Sequence, residues 1–193
     1  SESDWKRFWE VCDYQFVTEL VYAKLKRENL TSLLPEDLLG KAQTLLYRSA
    51  ARNAQLMDSG HRVIQELTNH GTEALLLKGC FLQDCIYNPS EVRPMNDIDL
   101  LVRKEEVSKA LQILTENGYS PTTFFDQTLD NTDIKHVPPM VDRAGRTLEL
   151  HWTLLEENEP FTIEMDKVWS RVRVYAAGKK QILGLSLEDM LVH

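Results

Sequence analysis

Cysteine is scarce in this sequence. The 193-residue chain has three, Cys12, Cys80 and Cys85, too few and too irregularly spaced for a disulfide framework or a zinc knuckle. That scarcity predicts a reducing compartment, most simply the cytoplasm. Long apolar runs are missing as well. No window approaches the roughly 18 apolar residues of a membrane span, and Ser1-Glu2-Ser3-Asp4-Trp5 lacks the basic-then-apolar profile of a secretory signal. Basic residues are in deficit, 22 Lys and Arg against 30 Asp and Glu, for a net charge of −8. This balance argues against broad binding along a nucleic-acid backbone, which needs cations to neutralise phosphates; it leaves room for a local basic pocket that holds one nucleotide. The chain has no internal repeat and no low-complexity tract. What remains, 42% hydrophobic and 27% charged, suits one large globular domain or one domain with a helical extension.

The first 70 residues read as helix. Trp5, Phe8, Trp9, Cys12, Phe16, Leu20 and Ala23 follow one helical stripe. After a break from Asn29 to Pro35, Pro35-Glu36-Asp37 makes a good first turn, with acids near the positive end of the helix dipole. A second stripe runs Leu38, Ala42, Leu45, Leu46, Ser49, Asn53 and Leu56, and a third runs Val63, Ile64 and Leu67. A kink is expected at Ser59-Gly60 and an end at Gly71. These stripes predict helix packing rather than a cofactor box.

After Gly71 the pattern changes. Ala74 to Leu77 is an apolar run suited to a buried strand, Lys78-Gly79 ends it, and Cys80 to Tyr87 predicts a helix. Asp97 to Val102 predicts a second strand, and Lys104 to Asn117 a helix closed by Gly118. Ile134 to Val141 and Thr147 to Trp152 read as a hairpin around Asp142-Arg143-Ala144-Gly145, with Pro138-Pro139 confining its first strand to an edge or a bulge. Val172 to Tyr175 and Gln181 to Leu183 predict a second hairpin around Gly178. The last residues, from a Ser186 N-cap onward, read as a helix that stops after about two turns, which suggests that further helical chain follows. The expected organisation is a helical region over 1–71, an α/β domain over 72–185 and the start of a C-terminal helix over 186–193.

The chemistry concentrates in Asn96-Asp97-Ile98-Asp99-Leu100-Leu101-Val102. Strand alternation puts Asp97 and Asp99 on one face, with Ile98, Leu100 and Val102 on the other. Two carboxylates so placed repel each other unless a cation lies between them. A third acid stands in Thr147-Leu148-Glu149-Leu150-His151-Trp152, where Glu149 and His151 share the face opposite Leu148, Leu150 and Trp152. If the two strands are neighbours, three carboxylates converge on a divalent-metal site, with Mg²⁺ or Mn²⁺ the expected ion. Leu75-Leu76-Leu77-Lys78-Gly79-Cys80 adds a strand, a glycine and a helix start, which present backbone N–H groups to an anion. Lys78 and Arg93 supply positive charge beside it.

Taken in order, these segments resemble the polymerase-β-type nucleotidyltransferase superfamily. Leu-Leu-Lys-Gly, then Arg before Asn-Asp-Ile-Asp-Leu-Leu-Val, then Leu-Glu-Leu-His-Trp is similar more closely to a bacterial family of uncharacterised nucleotidyltransferases. The likeness spans roughly Ala74 to Trp152. It implies an α+β fold, a mixed sheet flanked by helices, preceded by the helical region. It also implies metal-dependent transfer of a nucleoside monophosphate from an NTP, such as ATP, to a hydroxyl. Asp97, Asp99 and Glu149 would be the catalytic and metal-binding acids, and Lys78, Gly79, Cys80, Arg93 and His151 would bind the nucleotide. Cys80 stands where the wider superfamily usually carries a serine whose hydroxyl bonds a phosphate; a thiol is a weaker donor. An alternative follows from that departure: a catalytically inactive module of the same fold that binds a nucleotide or a partner protein. The acceptor is expected to be a small molecule or a protein rather than a long nucleic acid, and no membrane is implicated.

Overall fold

A computed structural model describes residues 2–87, 92–123, 136–155, 159–178 and 180–192. Its elements are helices α1 (Glu2–Tyr14), α2 (Thr18–Arg27) and α3 (Glu36–Asn69), strand β1 (Ala74–Leu76), helix α4 (Lys78–Cys85), strand β2 (Asp97–Val102) and helix α5 (Val107–Glu116), followed by strands β3 (Ser120–Pro121), β4 (Met140–Val141) and β5 (Thr147–His151), helix α6 (Met165–Ser170), strands β6 (Arg173–Ala177) and β7 (Lys180–Gly184), and helix α7 (Leu187–Val192). The chain divides into two compact units, one of residues 1–55 and 86–95, the other of 56–85 and 96–193.

The first unit is helical. The predicted stripe from Trp5 to Ala23 is divided in two, because Phe16 takes a left-handed φ of 55°. Val17 N–H then reaches back to the Cys12 carbonyl at 3.0 Å, the closing bond of a Schellman-type helix end that glycine usually fills. Trp9, Tyr22, Ala23, Leu34, Leu38, Ala42, Leu46 and Val92 form the core of this unit. Arg93 belongs here too; its carbonyl accepts from Asn53 Nδ2 at 2.7 Å.

The expected kink at Ser59-Gly60 does not occur, since α3 runs unbroken through it. The buried positions Leu38, Ala42, Leu46, Asn53, Leu56, Val63 and Leu67 keep one phase along the helix, so no change of face calls for a bend. Gly60 serves close packing instead. A Cβ there would meet Leu76 Cδ2 at 3.2 Å and Ile98 Cγ2 at 3.4 Å.

The second unit carries a mixed sheet of order β1-β2-β5-β4-β3, in which β2 and β5 are parallel and the other pairs antiparallel. Ile134, at the start of the predicted hairpin strand, lies outside the described residues; the hairpin itself forms between β4 and β5. The second hairpin forms as β6 with β7. It packs tightly on α4: Phe81 stacks edge-on against Tyr175 with ring centroids 5.0 Å apart, and a Cβ at Gly184 would collide with the Phe81 ring. Leu75, Leu77 and Leu101 share one sheet face with a core completed by Leu154, Val168, Trp169 and Leu185. Ser186 caps α7 as expected, accepting from Asp189 N–H at 3.1 Å. Among the described residues, no helix is long and apolar enough to cross a membrane.

Candidate active site

The acidic pair enters the site through β2. Asp97 opens the strand opposite Thr147, and Asp99 stands opposite Glu149 in the parallel β5 register. Opposed residues of adjacent strands share a face, so Asp99 and Glu149 are brought side by side as the alternation predicts. His151, two residues beyond Glu149, joins them. Ligand atoms of Asp99, Glu149 and His151 all lie within 4.8 Å of one another. His151 Nε2 lies 3.0 Å from Asp99 Oδ1 and 3.5 Å from Glu149 Oε2. Asp97 shares the face but is not part of this tight group.

Lys78, at the start of α4 just after β1, reaches the same carboxylate. Because Leu76 opposes Leu100 in the antiparallel β1–β2 pair, the next step along β1 brings Leu77 N–H to the Asp99 carbonyl at 2.9 Å. Lys78 then takes a left-handed φ of 42° and directs Nζ to Asp99 Oδ1 at 2.6 Å. The left-handed residue of this turn is therefore the lysine. Gly79 follows it in the first turn of α4. A non-glycine residue held in that region is costly and is a mark of functional turns.

Burial separates the roles. The Asp99 side chain is 5% exposed and that of His151 is 0% exposed, whereas Lys78 is 37% and Glu149 22% exposed. Burial alone pushes the Asp99 carboxyl up, but hydrogen bonds from His151 and Lys78 and the Lys78 charge outweigh it and hold the group below the usual carboxylate range. Burial holds His151 below its ordinary value, against the pull of Asp99. It therefore stays a neutral imidazole, whose Nε2–H donates to Asp99. The Cys80 thiol is pushed up to about 12, first by burial and then by the carboxylates of Asp99, Asp84 and Asp97. It remains a neutral thiol, and what it offers an anion is its backbone N–H near the start of α4.

The carboxylates of Asp99 and Glu149, one of them braced by the His151 imidazole, could hold a divalent cation. Lys78 already supplies one positive charge at the acid the cation would share. A family model described as uncharacterised nucleotidyltransferase matches residues 1–193. The chain belongs to that nucleotidyltransferase family. No curated protein and no solved structure matches it. Membership supports a transferase, and the mixed sheet with its acidic strand fits a nucleotidyltransferase-type fold.

The strand pattern gives the face of His151 but not its burial. Its spacing of two from Glu149 gave its face. That this face is covered at His151 follows from the isolated bridge to His136 and the tilted ring pair, with centroids 5.0 Å apart, neither of which is visible in a single strand pattern.

Proposed function

We propose that this nucleotidyltransferase moves a nucleoside monophosphate from an NTP to a hydroxyl of its acceptor, with Mg²⁺ or Mn²⁺ held by Asp97, Asp99 and Glu149. The observation that carries the reading is the β2–β5 register, which sets Asp99 beside Glu149 on one face, with Lys78 Nζ at 2.6 Å from Asp99. When bound, the ion neutralises triphosphate charge and favours the attacking oxygen. The chain's own part is positioning and electrostatics. Glu149, the more exposed carboxylate, takes the proton of the acceptor hydroxyl. That oxygen forms a bond to the α-phosphorus as the bond from the α-phosphorus to the bridging oxygen breaks, and pyrophosphate leaves. Lys78 moves from Asp99 to the triphosphate, and the backbone N–H groups of Gly79 and Cys80 hold phosphate oxygens at the start of α4. His151 does not touch substrate in this scheme; it fixes the Asp99 carboxylate through Nε2–H. The acceptor is a small molecule or a protein, in keeping with a net charge of −8.

The test is turnover of α-labelled NTP with Mg²⁺ or Mn²⁺, scored for label on added alcohols or on the protein and for release of pyrophosphate. Asp99→Asn should abolish turnover and keep the wild-type circular dichroism spectrum. Full turnover in that variant refutes the assignment. The buried Cys80 in place of a serine hydroxyl favours one rival, an inactive module of the same fold. Calorimetry showing NTP and Mg²⁺ binding without any turnover would select it.

A further inference from the structure

The second unit holds a pocket of about 620 Å³ that the proposed chemistry leaves unused. Its walls come from the C-terminal half of α3, the approach to β1 with β1 itself, and β7. The volume is in the range of small-molecule sites.

The pocket lies on the other side of the sheet from the acidic cluster. On β1, Leu75 opposes Leu101 and Leu77 falls opposite Asp99, so these residues share the face of the cluster. Ala74 and Leu76 alternate to the opposite face, which Gly60 of α3 approaches at Leu76. Both Ala74 and Leu76 line the pocket. A compound seated there is separated from Asp99 by the sheet and is not the hydroxyl acceptor.

The lining states what fits. Ile64, Ile182 and Leu183 give apolar walls, no Lys or Arg lines the pocket among the described residues, and its one imidazole, His61, is already engaged by Asp84 at 2.7 Å. Its one carboxylate, Glu73, already faces Arg103 Nη2 at 3.4 Å. The sheet edge adds directed polarity. Leu77 N–H bonds Asp99 across to β2, so by alternation Leu76 and Ala74 turn their backbone N–H and C=O groups away from β2, toward the free edge. Thr72, which borders the pocket, is buried, and its hydroxyl has no hydrogen-bond partner among the described residues. Such a group is costly to leave unmet. Since β7 packs beside β1, an added strand does not fit between them, whereas a compact molecule does.

We infer that this pocket is a second small-molecule site, one that takes an uncharged compound with an apolar body and a hydrogen-bonding head and that rejects phosphate. The test is an amide-resolved NMR titration of the full chain with indole, benzamide and phenethyl alcohol as uncharged probes, and with benzoate and inorganic phosphate as anionic ones. Expected are saturable shifts at Thr72, Ala74, Leu76 and Ile182 with at least one uncharged probe and none with phosphate. Thr68→Trp, an exposed position on the rim, should block them while leaving the remaining amides in place; Gln65→Trp is the second blocking variant. Thr72→Val keeps the shape and should weaken benzamide about fivefold, the effect of one neutral hydrogen bond. Absence of saturable shifts with every uncharged probe overturns the inference. So does phosphate or benzoate binding there as tightly, or probe binding that survives both tryptophan variants. None of these readouts involves NTP or metal, so the outcome is independent of whether the transferase reading holds.

Discussion

Replacing Lys78 by Met tests the electrostatics of the site directly. The ammonium lies 2.6 Å from Asp99 Oδ1. At an effective dielectric of about 20, a pair at that distance has a Coulomb energy of roughly 6 kcal/mol. Most of this is offset. Lys78 is 37% exposed, so solvent screens the pair and the lysine gives up hydration and rotamer freedom to form it. Asp99 is the buried partner and suffers more when stranded; breaking a fully buried pair costs about 3–5 kcal/mol. The remaining His151 hydrogen bond, at 3.0 Å, softens that loss. We therefore expect a destabilisation of about 2 kcal/mol, between the exposed and the buried limits. For a chain of this size that lowers Tm by roughly 4–8 °C in metal-free buffer. Added Mn²⁺ or Mg²⁺ should then raise Tm more in Lys78→Met than in the wild type, because the ion no longer competes with an ammonium for Asp99. The assay is thermal unfolding by circular dichroism, with and without metal, and Lys78→Arg as the charge-preserving control. A Tm within about 1 °C of wild type without metal, together with an equal metal response, would refute the ion-pair argument.

Gly60 and Gly40 lie on the same helix and should respond oppositely. Gly60→Val crowds Leu76 and Ile98 and should cost about 2 kcal/mol, while Gly40→Ala, with nothing within 4 Å of the new Cβ, should gain about 0.5–1 kcal/mol from helix propensity; urea midpoints decide both. Arg171 hydrogen bonds hold the Asp189 carboxyl below its ordinary value, aided by Ser186 and opposed by burial. Its folded pKa is the lower one, so its stabilisation is present above the unfolded value and is lost as pH falls through the folded one. Asp189→Asn should accordingly flatten the acid limb of Tm against pH, and an unchanged limb contradicts the pairing. The thiols of Cys80 and Cys85 are pushed up to about 12 and about 11, chiefly by burial. At pH 8 native Cys85 should react with a disulfide reagent about 100-fold more slowly than in denaturant, and Cys80 more slowly still. Equal rates would contradict the placement of a buried Cys80 and a half-buried Cys85.

Residues with strong local periodicity were legible before any coordinates. The apolar run of β2, the paired hairpins and the Ser186 cap depend on contacts a few residues apart, and each is found where its pattern lies. Asp99 beside Glu149 was legible given one added condition, that their strands be neighbours, since side-chain alternation then fixes the face. What single-strand patterns do not hold is the register between strands. Lys78 reads as a charge for a bound anion until β1 is seen antiparallel to β2, where the step from Leu76 opposite Leu100 brings Lys78 to Asp99. Likewise the β2–β5 register seats His151 across from Leu101, at the border between the acidic cluster and an apolar core. There a neutral imidazole serves both sides: its ring fills buried space, and its Nε2–H satisfies a carboxylate that burial by itself pushes toward the protonated form. Asp99 keeps its charge inside the fold through one donor from the sheet interior and one cation from the turn.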